Sequence, residues 1–171
     1  MKRFIFIAGI LFPVFFLSAC NNSLENNNER PVMEFKSKME INSEKMNVSA
    51  NIFRDKVGNM QIEFTSPETL AGLKINYSDS ESSVEKDDLL YKTNELVFPS
   101  FSDVTSVLEA ISYVAENADE SPFYKDTKEM AFIGKISSGK FELRADRKTG
   151  LISEIKIGEK TTVKFCDQEK L

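Results

Sequence analysis

Hydrophobic and polar residues alternate with a period of two through most of the chain from Val32 onward. The alternating stretches begin at residues 33, 46, 60, 73, 130, 141, 151 and 163. Such alternation is typical of strands that pack one face and expose the other. Polar, glycine-containing stretches separate several of them, at residues 55–58, 137–139, 146–150 and 158–159. Because short turns join antiparallel neighbours, the pattern predicts a meander of about nine strands.

One segment departs from this alternation. Val104, Val107, Leu108, Ile111, Val114 and Ala115 have the spacing of one face of an amphipathic helix. Ser100 and Asp103 are placed as in a capping box, and residues 66–70 carry the start signal of a second, short helical turn. The sequence therefore predicts a mainly β (α+β) fold with one substantial helix.

The predicted sheet is much wider than the predicted helix. Nine strands span about 43 Å, whereas a helix is about 10–12 Å across. We therefore expect the antiparallel sheet to curve into a half-barrel with the helix as a plug. Any apolar strip that the helix leaves uncovered would bind an apolar ligand, a second copy or a protein partner.

Methionine and phenylalanine are frequent on the predicted apolar face. Because methionine adapts its shape, such a face suits an acyl chain or a partner loop. Ordinary core packing around the helix is the alternative interpretation. The candidate binding face consists of Met33, Phe35, Met46, Met60, Phe64, Met130, Phe132 and Phe141.

The N-terminus has the features of a signal peptide. Basic residues 2–3 precede an apolar stretch at 4–17, which is too short to span a membrane, and Leu-Ser-Ala-Cys ends at Cys20. The tetrapeptide resembles the bacterial lipobox, in which the cysteine is acylated and becomes the first mature residue. We predict a signal peptide (1–19), an acylated cysteine and flexible tether (20–30), and one domain (31–171). The alternative is an ordinary secretory peptide that leaves Cys20 unmodified.

This organisation places the domain on the extracytoplasmic face of the bacterial cell membrane. Removing residues 1–19 takes away Lys2 and Arg3 and moves the formal charge from −5 to −7. An acidic domain argues against nucleic acid as a partner and against attraction to anionic lipid. With Cys20 acylated, Cys166 is either a free thiol or part of an intermolecular bridge.

The residue types argue against an enzyme. The chain contains no histidine, which is the commonest general base and metal ligand. Residues 134–140 match part of a phosphate-binding loop, but Phe141 replaces the required Ser or Thr and a strand pattern follows, so we interpret them as a hairpin turn. Glu81, Glu85, Asp87 and Asp88 lack the spacing of a calcium loop and are interpreted as a solvated acidic loop. We predict no cofactor, metal or catalytic residue.

Several features together resemble the LolA/LolB/LppX superfamily. They are the lipobox, the one-sided strands, the segment FTSPETLAGL at residues 64–73, the single helix and the closing hairpin at residues 141–152. The resemblance covers the layout of residues 31–165, and the short chain is similar to clostridial lipoproteins of the germination (GerS-related) type. It implies a LolA-like half-barrel without enzymatic activity, which either carries lipid or supports a cell-wall amidase in spore-cortex formation.

Three functions are compatible with these observations. The first is a membrane-tethered scaffold whose sheet edges pair with a protein partner or a second copy. The second is a lipid carrier or sensor with acyl chains in the half-barrel. The third and weakest is an enzyme that uses carboxylates such as Asp87 and Asp88, although adjacent strand residues point to opposite faces. We favour the scaffold, because one helix is a small lid for a lipid.

Overall fold

The computed structural model of the protein describes residues 30–78, 81–93, 101–117, 123–124 and 126–171. They form one antiparallel sheet in the order β6-β5-β4-β3-β2-β1-β11-β10-β9-β8-β7. The elements are β1 (Phe35–Asn42), β2 (Asn47–Arg54), β3 (Met60–Ser66), β4 (Lys74–Tyr77), β5 (Ser82–Lys86), β6 (Leu89–Thr93), α1 (Ser102–Glu116), β7 (Phe123–Tyr124), β8 (Glu129–Ile136), β9 (Gly139–Asp146), β10 (Ile152–Ile157) and β11 (Thr161–Lys170).

The first and last strands meet in the middle of the sheet. In β1, buried and exposed residues alternate along the whole strand, and Met39 lies between Ala50 of β2 and Phe165 of β11. The strands around β1 bury most of their apolar positions on the same face because the register keeps those positions opposite one another. The predicted fold class, an antiparallel sheet with one helix, is confirmed.

Three strands were absent from the prediction. In β5, the buried pair Ser82 and Ser83 interrupts the apolar alternation, and in β6 the consecutive residues Leu89, Leu90 and Tyr91 are all exposed. The two-residue β7 is too short to show a period. The predicted acidic loop is also wrong in part, because Glu85 lies in β5 while Asp87 and Asp88 form the hairpin turn to β6.

The helix buries five of the six residues of the predicted apolar stripe, with Ala115 half-buried, and it lies against β8, β9 and β10. Its N-cap is Phe101, and no side chain caps it. Ser100 lies outside the described residues. Asp103 instead accepts a hydrogen bond from Ser43 Oγ at 2.7 Å, so this carboxylate ties α1 to the β1–β2 turn.

The short helical turn predicted for residues 66–70 is a single turn at residues 67–72, and Ser66 is the last residue of β3. The Pro67 carbonyl accepts hydrogen bonds from Leu70 N at 2.9 Å and from Ala71 N at 3.0 Å. Gly72, at φ +80°, then reverses the chain into β4, because glycine adopts this left-handed conformation without steric cost. The helical start signal is therefore used for a single turn.

The core lies between the helix and the concave face of the sheet. A single cluster joins buried residues from β1, β2, β3, β4, β8, β9, β10, β11 and α1. Phe101, at the start of the helix, reaches Phe64 of β3 with ring centroids 5.7 Å apart. Because α1 contacts both halves of the sheet, the sheet must curve around it as an open half-barrel.

Candidate binding surfaces

The concave face of the sheet holds most of the predicted apolar binding residues. Six of the eight have 6% or less of their surface exposed: Phe35, Met60, Phe64, Met130, Phe132 and Phe141. Met33 and Met46 are partly buried and pack against the same cluster. The alternation therefore identified side chains of one apolar face, and in this conformation that face is packed. Their role in binding a ligand stays a prediction.

Close packing between the helix and β8–β9 closes part of this face. Tyr113 of α1 stands edge-on to Phe141 of β9, with ring centroids 5.4 Å apart. Gly134 of β8 makes room for both rings. A Cβ atom at this position would lie 2.5 Å from Phe141 and 2.7 Å from Tyr113, which is too close for any side chain.

The segment that matches part of a phosphate-binding loop lies in the β8–β9 hairpin, as predicted. Lys135 pairs with Lys140 and Ile136 with Gly139 across the turn. The Glu109 carboxylate of α1 accepts a hydrogen bond from Ser137 N at 3.0 Å and another from Ser137 Oγ at 2.6 Å. This turn is thus fastened to the helix and does not open one, as a phosphate loop must.

The outer strand β6 carries three consecutive exposed apolar residues. Leu89, Leu90 and Tyr91 are 78%, 57% and 64% exposed. Among the described residues, no strand pairs with the outer side of β6. The unpaired N–H and C=O groups of such an edge can accept another strand. Sequence reasoning missed this strand, although three consecutive apolar residues between polar stretches were a signal.

A groove of about 730 Å³ crosses the outward face over β11, β1, β2 and β3. Phe53, 42% exposed, lies in it. Lys36 pairs with Glu169 and Lys38 with Asp167, both at 2.8 Å, along one side. The hydrogen bond that Lys38 donates to Asp167 raises the pKa of this lysine. These charges are neutralised in pairs, so the groove has little net charge.

The predicted anchor lies outside the described residues, since Cys20 precedes Arg30. Cys166 is exposed and unbridged on β11. No described helix has the length and hydrophobicity needed to cross a membrane.

No family model matches the chain, and no curated protein sequence matches it. The fold is similar to that of an uncharacterized conserved protein from Thermus thermophilus, with a TM-score of 0.52 and 11% identity over 86% of this chain and 82% of that one. A LolA superfamily protein from Nitrosomonas europaea is 10% identical over 86% of this chain and 90% of that one, with a TM-score of 0.40. The first likeness shows a shared fold and nothing about function. The TM-score of the second is too low to establish a shared fold.

Proposed function

We propose that the protein is a membrane-anchored extracytoplasmic lipoprotein that acts as a non-enzymatic binding or scaffold protein. The packing of the concave face carries this proposal. Phe35, Met60 and Phe141 have 2% or less of their surface exposed, and α1 lies over β8–β10. A bound acyl chain would have to displace the helix or these side chains, at the cost of their buried contacts.

The alternative is a lipid carrier or sensor, as the superfamily resemblance also implies. It requires a second conformation in which α1 moves away from the sheet and the apolar face opens. The tight approach of Tyr113 and Phe141 over Gly134 opposes this movement. We therefore place partner binding on the outside of the half-barrel.

The edge strand β6 is the surface that suits a protein partner best. Among the described residues no strand lies on its outer side, and three of its apolar side chains are exposed. A strand added to this edge would gain backbone hydrogen bonds. Its side chains would contact Leu90 on one face of the sheet and Leu89 and Tyr91 on the other. The resemblance to the germination lipoproteins suggests a cell-wall amidase of the spore cortex as the partner.

A second copy of the chain could occupy the same edge as a homodimer. In an antiparallel pair centred on Leu90, Asp88 of each copy faces Lys92 of the other and Leu89 faces Tyr91. Such opposite-charge and apolar cross-strand pairs stabilise a sheet. Lys92 already contacts Glu81 at 2.7 Å, so it would bridge two carboxylates.

A titration of the anchor-free domain with a purified cell-wall amidase of the same organism tests this proposal. We expect binding that Leu90→Glu weakens at least tenfold, because a charge would face the added strand. Ile133→Glu is the matched control, since Ile133 on β8 is also 57% exposed. Absence of amidase binding would contradict the amidase as partner. Equal effects of the two substitutions would contradict β6 as the binding edge.

A further inference from the structure

A row of side chains crosses the outward face of the sheet at right angles to its strands. Phe53 of β2 lies opposite Gln61 of β3, and Gln61 lies opposite Asn76 of β4. Asn76 in turn lies opposite Ser83 of β5. Because neighbouring strands are about 4.8 Å apart, the four positions span about 15 Å. These four residues are called the outward row below.

Hydrogen bonds join three members of the outward row. Gln61 Nε2 donates to Asn76 Oδ1 at 2.7 Å, and Asn76 Nδ2 donates to Ser83 Oγ at 3.2 Å. Ser83 is 8% exposed, and within the described part of the chain its hydroxyl has no acceptor. A buried hydroxyl normally donates as well as accepts. The hydroxyl of Ser83 therefore has a hydrogen bond left to give.

The outward row lies in a trough that consists of two adjoining grooves. One groove, of about 730 Å³, extends toward β11, and the other, of about 330 Å³, extends toward β5 and includes Ser83. Phe53 and Gln61 line both grooves. Phe53 is 42% exposed, so its ring offers an apolar surface where the grooves meet. Grooves of this size are typical of sites for small organic ligands.

The charged residues that line the trough are all paired. Each of the six has an ion-pair partner within 4.0 Å, and the pairs are Lys36–Glu169, Lys38–Asp167, Lys74–Glu63 and Lys92–Glu81. The pairs contain as many cations as carboxylates, so a phosphate or a strongly basic peptide would find no uncompensated opposite charge. The trough instead offers neutral hydrogen-bonding groups beside an aromatic ring.

We propose that the trough binds a neutral glycan strand that lies along the outward row. A pyranose ring has an apolar face of C–H groups, which can pack on Phe53, and hydroxyl groups, one of which can accept from Ser83. The side-chain amides of Gln61 and Asn76 both donate and accept, as sugar hydroxyls do. This site is separate from the β6 edge. The extracytoplasmic position of the proposed function would bring it beside cell-wall glycan.

Calorimetric titration of the lipidated full-length protein in phosphatidylcholine vesicles tests this site. The probes are short oligomers of N-acetylglucosamine and of glucose with the same linkage. Phe53→Ala removes the ring at the junction of the grooves, and Ser83→Ala removes the buried hydroxyl. Ile133→Ala is the matched control for the ring, because Ile133 is an apolar residue of β8 that is 57% exposed. Ser83→Ala decides the test if Phe53→Ala fails to fold.

We expect saturable binding of at least one oligomer. Phe53→Ala should weaken it about fivefold or more, the effect of losing an aromatic anchor. Ser83→Ala should weaken it about threefold, the effect of one hydrogen bond, and Ile133→Ala should leave it unchanged. Tighter binding of the N-acetylated oligomer would identify cell-wall glycan as the source of the ligand, and tighter binding of the glucose oligomer would identify another glycan.

Two results would overturn the glycan site. One is that the native protein binds neither oligomer, and the other is that the folded Phe53 and Ser83 variants bind as tightly as the native protein. Leu90→Glu should leave glycan binding unchanged, because Leu90 lies on β6. Failure of the glycan site can therefore be distinguished from failure of partner binding at β6, which the amidase titration tests.

Discussion

Tyr113 of the helix stands edge-on to Phe141 of β9, with ring centroids 5.4 Å apart and planes inclined by 78°. The two rings meet above Gly134, whose missing side chain lets the helix approach the sheet. This contact is one of the places where α1 closes the concave face. The closure of that face underlies the proposal that the protein binds its partner on the outside.

Gly134→Ala should destabilise the domain. The added methyl group would lie 2.5 Å from Phe141 and 2.7 Å from Tyr113, so one ring must leave its position. Overpacking of this kind costs about 1–3 kcal/mol, measured as the free energy of unfolding in urea. In a Phe141→Leu background the same substitution should cost less, and an equal cost in both backgrounds would contradict the steric explanation.

Ser43→Ala should loosen the link between the β1–β2 turn and the helix. Ser43 Oγ donates to Asp103 at 2.7 Å and accepts from Met46 N at 3.0 Å. Loss of hydrogen bonds to a charged group should lower the free energy of unfolding by about 1–2 kcal/mol. Ser153→Ala is a suitable control, because that exposed serine makes one long hydrogen bond of 3.3 Å. Similar losses for the two variants would count against the link.

Leu108→Ala should show how strongly the helix is packed. Leu108 is 2% exposed on the buried face of α1, and truncation of a buried leucine costs about 2–5 kcal/mol. Leu90→Ala is the matched control, because Leu90 is 57% exposed on β6 and an exposed residue changes stability by about 0.5 kcal/mol or less. A small loss at Leu108 would mean that the helix rests loosely on the sheet.

Stability should decrease in acid through the carboxylate of Asp146. The Thr149 backbone N–H and hydroxyl donate to this carboxylate and hold the pKa of Asp146 below its usual value. A lowered pKa in the folded state means that the stabilisation is present above about pH 4, the unfolded value, and is lost as the pH falls through the folded pKa.

Asp146→Asn should therefore flatten the acid side of the stability curve, measured by urea unfolding from pH 7 to pH 2. Glu159→Gln, at an exposed carboxylate of another hairpin turn, serves as the control. If the native protein and Asp146→Asn lose stability in parallel below pH 4, the turn carboxylate is not responsible.

Much of the sheet follows from local pattern. Strands such as β1 and β9 alternate clearly because one face is packed and the other is wet, and the turn at residues 146–150 is fixed by side-chain hydrogen bonds within the turn. The helix follows from its apolar spacing in the same way. These elements were predictable because short-range chemistry determines each of them.

The filling of the concave face and the edge strand β6 depend on long-range packing, which the periodicity of the sequence does not show. Alternation identified Phe64 and Met130 as members of an apolar face, but only the position of α1 decides whether this face is open or filled. The edge strand β6 was missed because Leu89 and Leu90 have no buried neighbour that would impose alternation.

Native mass spectrometry of residues 21–171, prepared without the anchor and followed by organic extraction of any bound molecule, tests most directly whether the concave face stays packed. We expect protein that carries no lipid, as a monomer or as a dimer paired through β6. A monomer that holds one lipid-sized adduct in stoichiometric amount would contradict it. In that case the packed concave face would have opened, and the protein would be a carrier.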